Sequence, residues 1–312
     1  MKKRRGLARS AALVSSALLL ASCATAPGSG AKATAAGGSG KIVTAVASIS
    51  AWGSILAEIG GEHVRVTSII TNPDTDPHDY EPTPADARLI AGATLVVENG
   101  VGYDSWLPKA VAASPNPDRT VIDVGRLTAT ADDGNPHRWY SPTDVAKVAD
   151  RITAELKRID PADAAYYDSR QQSFLNVALA GYHRLITEIR TRFAGIPVGA
   201  SESIFAPLSD ALGLKLLTPA SFLRAISEGT DPSAADKATI DAQLSGKKID
   251  LYVYNSQNAT PDVAAQVSAA KRHGIAVATV TETLSPVGAT FAQWQTDQLK
   301  KIETALAQAT GR

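Results

Sequence analysis

The chain has 312 residues, 31 Lys and Arg against 31 Asp and Glu, a single cysteine and 44% hydrophobic residues. That length and apolar content suit two domains of ordinary size, each with a real core. Five of the basic residues (Lys2, Lys3, Arg4, Arg5, Arg9) fall in the first nine positions, so the remainder carries 26 positive against 31 negative charges, a net of −5. A mildly acidic body with no basic stripe excludes nucleic acid as an expected partner.

The basic start precedes an uncharged run of 14 residues, Ser10 to Cys23. It is too short to span a bilayer but suits the apolar centre of a secretory signal. The run closes on Leu20-Ala21-Ser22-Cys23, which resembles the lipobox at which bacterial lipoproteins are cut before a cysteine that is then lipidated. Residues 1–22 are therefore expected to be a lipoprotein signal peptide. Residues 23–40, rich in Gly, Ala, Ser and Thr, are expected to be a lipid anchor and flexible tether to the cell membrane. With Cys23 lipidated, no thiol remains for a disulfide, and the cores alone must hold the fold.

From Lys41 strand and helix signals alternate. Strands are predicted over 41–48, 64–71, 94–98 and 120–124, with helices over 51–59, 85–93, 105–113 and 143–159. Asp160-Pro161 then opens a helical pattern that runs to 194 without an interior Pro, with Gly181 as one place for a bend. After it come strands at 198–201, 214–217, 251–254 and 275–281 and helices at 204–212, 234–244, 262–271 and 291–307. Strands separated by helices imply parallel βαβ units. The predicted fold is α/β, with an N-terminal lobe over 41–159, a long connecting helix over 160–194 and a C-terminal lobe over 195–312.

Two stretches of the first lobe match. Pro77-His78 is followed by Thr83-Pro84-Ala85-Asp86, and Pro136-His137 by Ser141-Pro142-Thr143-Asp144. The hydroxyl residue can cap a helix, Pro fits its first position, and Asp can close a capping box. Those helix starts are structural, but loop histidines have no core to fill. The second lobe has its own pair, Ser201-Glu202-Ser203 and Thr281-Glu282-Thr283, each at the carboxyl end of an apolar strand, where open α/β sheets bind ligands. Two imidazoles and two carboxylates meeting across a cleft would suit a divalent first-row metal. His63, His183 and His273 read as surface or capping residues, Asp79, Glu81 and Asp86 as capping or solvated groups, and Trp139 and Tyr140 as packing beneath the site. Glu228 is a loop residue near the cleft and an unfavoured ligand.

The run Asp76-Pro77-His78-Asp79-Tyr80-Glu81-Pro82-Thr83-Pro84-Ala85-Asp86 resembles the first-ligand motif of the metal-binding receptors of manganese and zinc ABC importers, the cluster A-I (cluster 9) solute-binding lipoproteins. Asn135-Pro136-His137-Arg138-Trp139 resembles the second, where the family more usually has Asp before Pro-His. The resemblance implies His78, His137, Glu202 and Glu282 as metal ligands and the long helix as a rigid connector. Glu202 falls where manganese receptors carry Glu and zinc receptors commonly His, and Glu282 where the family generally carries Asp. Residues 79–136 contain no histidine, so the His-rich loop of many zinc receptors is absent. The expected cargo is therefore Mn2+ first and Zn2+ next, captured outside the cell by a monomer and delivered to a cognate ABC permease with only a modest change of shape. A surface-adhesin role on the same scaffold is compatible with this. A metal-dependent hydrolase needs an open coordination position and a base, which four filled ligands and the absence of an HExxH helix disfavour. No glycine-rich phosphate loop implies a nucleotide or other organic cofactor.

Overall fold

The computed structural model describes residues 42–73, 75, 80–258 and 260–312. The leader and tether expected over 1–40, with Cys23, and His78 of the first Pro-His motif lie outside the described residues.

Two parallel sheets organise the chain. The first contains β1 (Val43–Ile49), β2 (Val64–Ile70), β3 (Leu95–Glu98) and β4 (Thr120–Asp123) in the order β2-β1-β3-β4. The second contains β5 (Pro197–Ala200), β6 (Lys215–Leu216), β7 (Leu251–Asn255) and β8 (Ala276–Val280) in the equivalent order β6-β5-β7-β8. Every pairing is parallel, with Val43 opposite Val64 in one sheet and Val198 opposite Leu251 in the other. Central strands such as β3 are buried along their whole length because helices cover both faces. In each sheet the strand order reverses beside the first strand, between β1 and β3 and between β5 and β7. The crevice at the carboxyl ends of those strands is where such sheets bind ligands.

The helix starts follow from the sequence. Thr83 accepts the Asp86 N–H, and Asp86 reaches back to the Thr83 N–H, a complete capping box for the helix Pro84–Gly92. Ser141 accepts the Asp144 N–H to start the helix Pro142–Ile159. The first helix, Ser50–Gly60, lies so close to β2 that a Cβ on Gly53 would sit 1.9 Å from Ser68 Oγ and would force that hydroxyl to move.

The long connector is present over 161–193, but it is not uniform. A 3-10 turn, Pro161–Asp163, leads into α-helix Ala164–Ser173, a π turn Phe174–Ala178 and α-helix Ala180–Phe193. The irregularity thus falls one turn before Gly181, where the Leu179 N–H bonds the Phe174 carbonyl at 3.0 Å. The closing helix, Phe291–Thr310, packs on the connector and reaches the first helix, its Phe291 N–H donating to Ser54 Oγ at 2.9 Å. As a result one hydrophobic core runs from Val46 and Val97 through Tyr182 to Val198, Leu208 and Leu299. A second, smaller core around Phe222, Tyr252 and Val263 lies within the C-terminal half. A close-packed core shared by both sheets resists hinge motion. Helix Ala220–Ser227 and the short turns Val124–Leu127 and Arg138–Tyr140 were not expected from the sequence. Among the described residues no helix is long and apolar enough to cross a membrane.

Candidate metal centre

His137 sits in the loop that leads into the turn Arg138–Tyr140 and is fully buried. The loop is fixed from the N-terminal sheet, where Asn99, just past the end of β3, donates its amide to the Pro136 carbonyl at 3.0 Å and accepts the Trp52 indole N–H at 2.9 Å. Trp139 and Tyr103 pack edge-on against the imidazole, with ring centroids 5.2 and 5.8 Å away. Trp139 therefore packs beneath the site, as its composition of large apolar ring and no exposed surface requires.

Asn135 sets the tautomer. Its amide nitrogen donates to the Ser203 carbonyl at 2.6 Å, and its oxygen accepts the His137 backbone N–H at 3.0 Å, so the amide can point only one way. The same oxygen lies 2.9 Å from His137 Nδ1, which must then be the protonated ring nitrogen. Nε2 is left as a lone pair, and it faces Glu282 Oε1 at 3.2 Å. Burial lowers the pKa of His137 to about 4, with Glu202 opposing and Arg138 reinforcing that shift, so the ring is neutral at physiological pH. A neutral Nε2 lone pair opposite a carboxylate oxygen is an arrangement that a cation or a proton between them would relieve.

Glu202 follows β5 and is 1% exposed. Its Oε2 accepts the Asn258 amide at 2.8 Å, whereas its Oε1 is buried without a hydrogen-bond partner. Burial first and the neighbouring Glu282 charge second push its carboxyl up to about 7, against the opposing pull of His137, Asn255 and Asn258. The Glu282 loop after β8 is held by Gln257, whose side-chain oxygen accepts the Glu282 and Thr283 N–H groups at 2.8 and 3.1 Å. On the other side the Tyr140 hydroxyl lies 2.8 Å from both the Thr281 carbonyl and Gln298 Oε1, tying the His137 segment to the Glu282 segment.

The structure thus brings His137 and Glu282 into contact, sets Glu202 within electrostatic reach of both, and leaves His78 outside the described residues. Sequence reasoning missed Asn99, Gln257 and Asn258, which lie far in sequence from the groups they hold. It did single out Asn135, as a departure from the more usual Asp. A cavity of about 350 Å3 beside the site is lined by Asp132, Asp133, Asn135, Ser203 and Arg224, with Glu228 at its wall rather than at the imidazole.

Among the described residues, the only set of three His, Cys or carboxylate ligand atoms within 4.8 Å of one another is His63, Asp160 and Asp163, away from the cleft. His63 is not the surface residue its sequence context suggested. Its Nδ1 lies 2.8 Å from Asp163 Oδ2, and its ring stacks on Tyr166 at 4.3 Å. Asp160 Oδ2 accepts the Tyr167 hydroxyl at 3.0 Å. These groups satisfy one another and pin the end of the first helix to the start of the connector. Among the described residues, buried carboxylate oxygens without a hydrogen-bond partner are found instead at Glu58, which has the Arg170 charge nearby, and at Glu202, which has the like charge of Glu282 nearby.

Known proteins resemble this chain in sequence and in fold. The chain is 31% identical over 153 residues to the "Manganese-binding lipoprotein MntA" of Halalkalibacterium halodurans, covering 48% of this chain and 51% of that protein. The match therefore spans about half the length of that relative. Over 265 residues it is 27% identical to the "Manganese ABC transporter substrate-binding lipoprotein PsaA" of Streptococcus pneumoniae, covering 79% of this chain and 81% of that one. A solved periplasmic metal-binding protein from Candidatus Liberibacter asiaticus shares the fold, with a TM-score of 0.71 at 22% identity over 85% of this chain and 99% of that chain. The first two relatives are named as binding lipoproteins. Residues 45–305 match the model of the zinc-uptake complex component A periplasmic (ZnuA) family, and the chain belongs to that family.

Proposed function

We propose that the chain is an extracytoplasmic receptor that captures one divalent transition metal and delivers it to an ABC permease. The ligands are His78, His137, Glu202 and Glu282, two from each lobe. The observation that carries this reading is the buried Glu202 oxygen with no partner, beside a neutral imidazole whose free nitrogen meets a second carboxylate. A buried Glu202 carboxylate beside the half-buried Glu282 is costly, and a dication offsets both charges at once.

Two carboxylates favour manganese, because hard oxygen donors suit it, and two of the relatives are named for manganese. Zinc is the next cargo. It binds the same donors more tightly by the Irving–Williams order, so manganese capture in the cell rests on geometry and on metal availability. Residues 1–22 are read as a lipoprotein signal, and Cys23 with the tether to residue 40 as the anchor that keeps a monomeric receptor beside its permease. The shared core supports loop ordering, rather than domain closure, as the change the permease reads.

The test is thermal unfolding of the chelator-stripped full chain with Mn2+ or Zn2+ added separately. A metal that binds only the folded state raises stability by about 2.7 kcal/mol at a hundred times its Kd. Saturable stabilisation that is lost in Glu202→Ala is the expected outcome. No shift with either metal would overturn the reading.

A further inference from the structure

Resting on the reading of the cleft as a metal site, we infer that Asn258 confines Glu202 to one metal-binding oxygen and so sets the coordination number. Asn258 lies in the loop after β7, 56 residues from Glu202 in sequence. Its amide nitrogen donates to Glu202 Oε2 at 2.8 Å and also lies 3.4 Å from the Ile226 carbonyl at the end of helix Ala220–Ser227. The Ile226 carbonyl can only accept, as does the ionised Glu202 carboxylate, so the amide presents its nitrogen to both. Oε2 is thereby committed to the protein, and the unpartnered Oε1 is the oxygen left for a ligand.

A carboxylate can bind a metal through one oxygen or two, and the difference is one unit of coordination number. That unit matters here. Zinc is content with four ligands, whereas manganese takes more oxygen donors. With Glu202 held to one oxygen, expansion beyond four ligands depends on Glu282, the longer carboxylate in the position where Asp was expected. Asn258 is a positioning residue: it acts on the metal only through Glu202, and its removal would free Oε2 to join the metal.

Co2+ provides the readout, because its visible bands weaken as its coordination number rises. The full chain is loaded with Co2+ as the wild type, as Asn258→Leu, which keeps the volume and removes the donor, and as Asn258→Gln, which keeps an amide. The expected result is one Co2+ per chain in all three, weaker visible bands in Asn258→Leu, a wild-type-like spectrum in Asn258→Gln, and a change of about tenfold in the Zn2+ to Mn2+ affinity ratio for Asn258→Leu. A mere loss of loop order would lower affinity and leave the spectrum of the bound Co2+ unchanged, and that result would overturn the inference. If Asn258→Leu does not fold, a crystal structure of the wild type with Co2+ decides: one Glu202 oxygen at bonding distance supports the inference, and two overturn it. A wild type that binds no Co2+ would overturn the metal-site reading itself and this inference with it.

Discussion

Two places among the described residues gather a histidine and two carboxylates, and they differ in how those groups are bonded. At the junction of the first helix and the connector, His63 pairs with Asp163, Tyr166 stacks on the ring and Tyr167 donates to Asp160. In the cleft, His137 and Glu282 face each other through atoms that both hold lone pairs, and Glu202 keeps one oxygen with no partner. The junction has the tighter cluster of ligand atoms, yet the unpartnered Glu202 oxygen beside a second carboxylate lies in the cleft. Proximity of ligand types does not make a site. What makes one is polar groups held in place by neighbours while their own bonding capacity stays open.

The largest expected effect separates the two directly. Glu202→Ala should abolish a metal-dependent stabilisation of about 2.7 kcal/mol at a hundredfold excess over Kd, whereas Asp163→Ala should leave that increment intact. The check is a pair of melting titrations, and a lost increment in Asp163→Ala would reverse the assignment. Next comes the group that sets the tautomer. Asn135→Ala should weaken metal binding by about 10–100-fold, measured by chelator competition, because His137 loses the partner that frees Nε2. His63→Ala should lower the stability of metal-free and metal-loaded protein alike by about 1–3 kcal/mol, since a part-buried carboxylate loses its donor. Denaturant unfolding with and without metal would show two parallel losses. Unequal losses would mean that the junction and the cleft are coupled.

The smallest effect is on pH. The Glu202 carboxyl is pushed up to about 7, above its unfolded range near 4.5. Between those values the metal-free folded state holds a proton that the unfolded state does not, so this group's stabilising contribution is present at low pH and is lost as pH rises through about 7. Metal must displace that proton. Affinity should therefore rise about tenfold per pH unit up to about 7 and level off above it. His137, lowered to about 4, is already neutral across that window and adds nothing to the slope. A flat affinity between pH 5.5 and 7 would contradict the environment drawn for Glu202.

Much of this was legible in the sequence because the signals were local. Alternating apolar runs and helix starts placed all eight strands and the long connector, and Thr83-Pro84-Ala85-Asp86 forms the capping box its spacing implies. Helix Ala220–Ser227 was missed because it is short and follows Pro219 in a stretch mixed with Ser, Gly and Thr. The paired Glu motifs were visible for the same local reason, each sitting just after an apolar strand. The positioning groups were not. Asn99 reaches Pro136 across 37 residues, Gln257 reaches Glu282 across 25, and Asp163 reaches His63 across 100. No periodicity encodes such contacts, because they arise from the strand order and from the closing helix crossing back to the first lobe.

The cleft is located as the metal site by an anomalous difference map from crystals of the chelator-stripped protein soaked in Mn2+. One strong peak is expected at about 2.0–2.3 Å from His137 Nε2 and from Glu202 Oε1, and none among His63, Asp160 and Asp163. A peak at the junction with nothing in the cleft would contradict it.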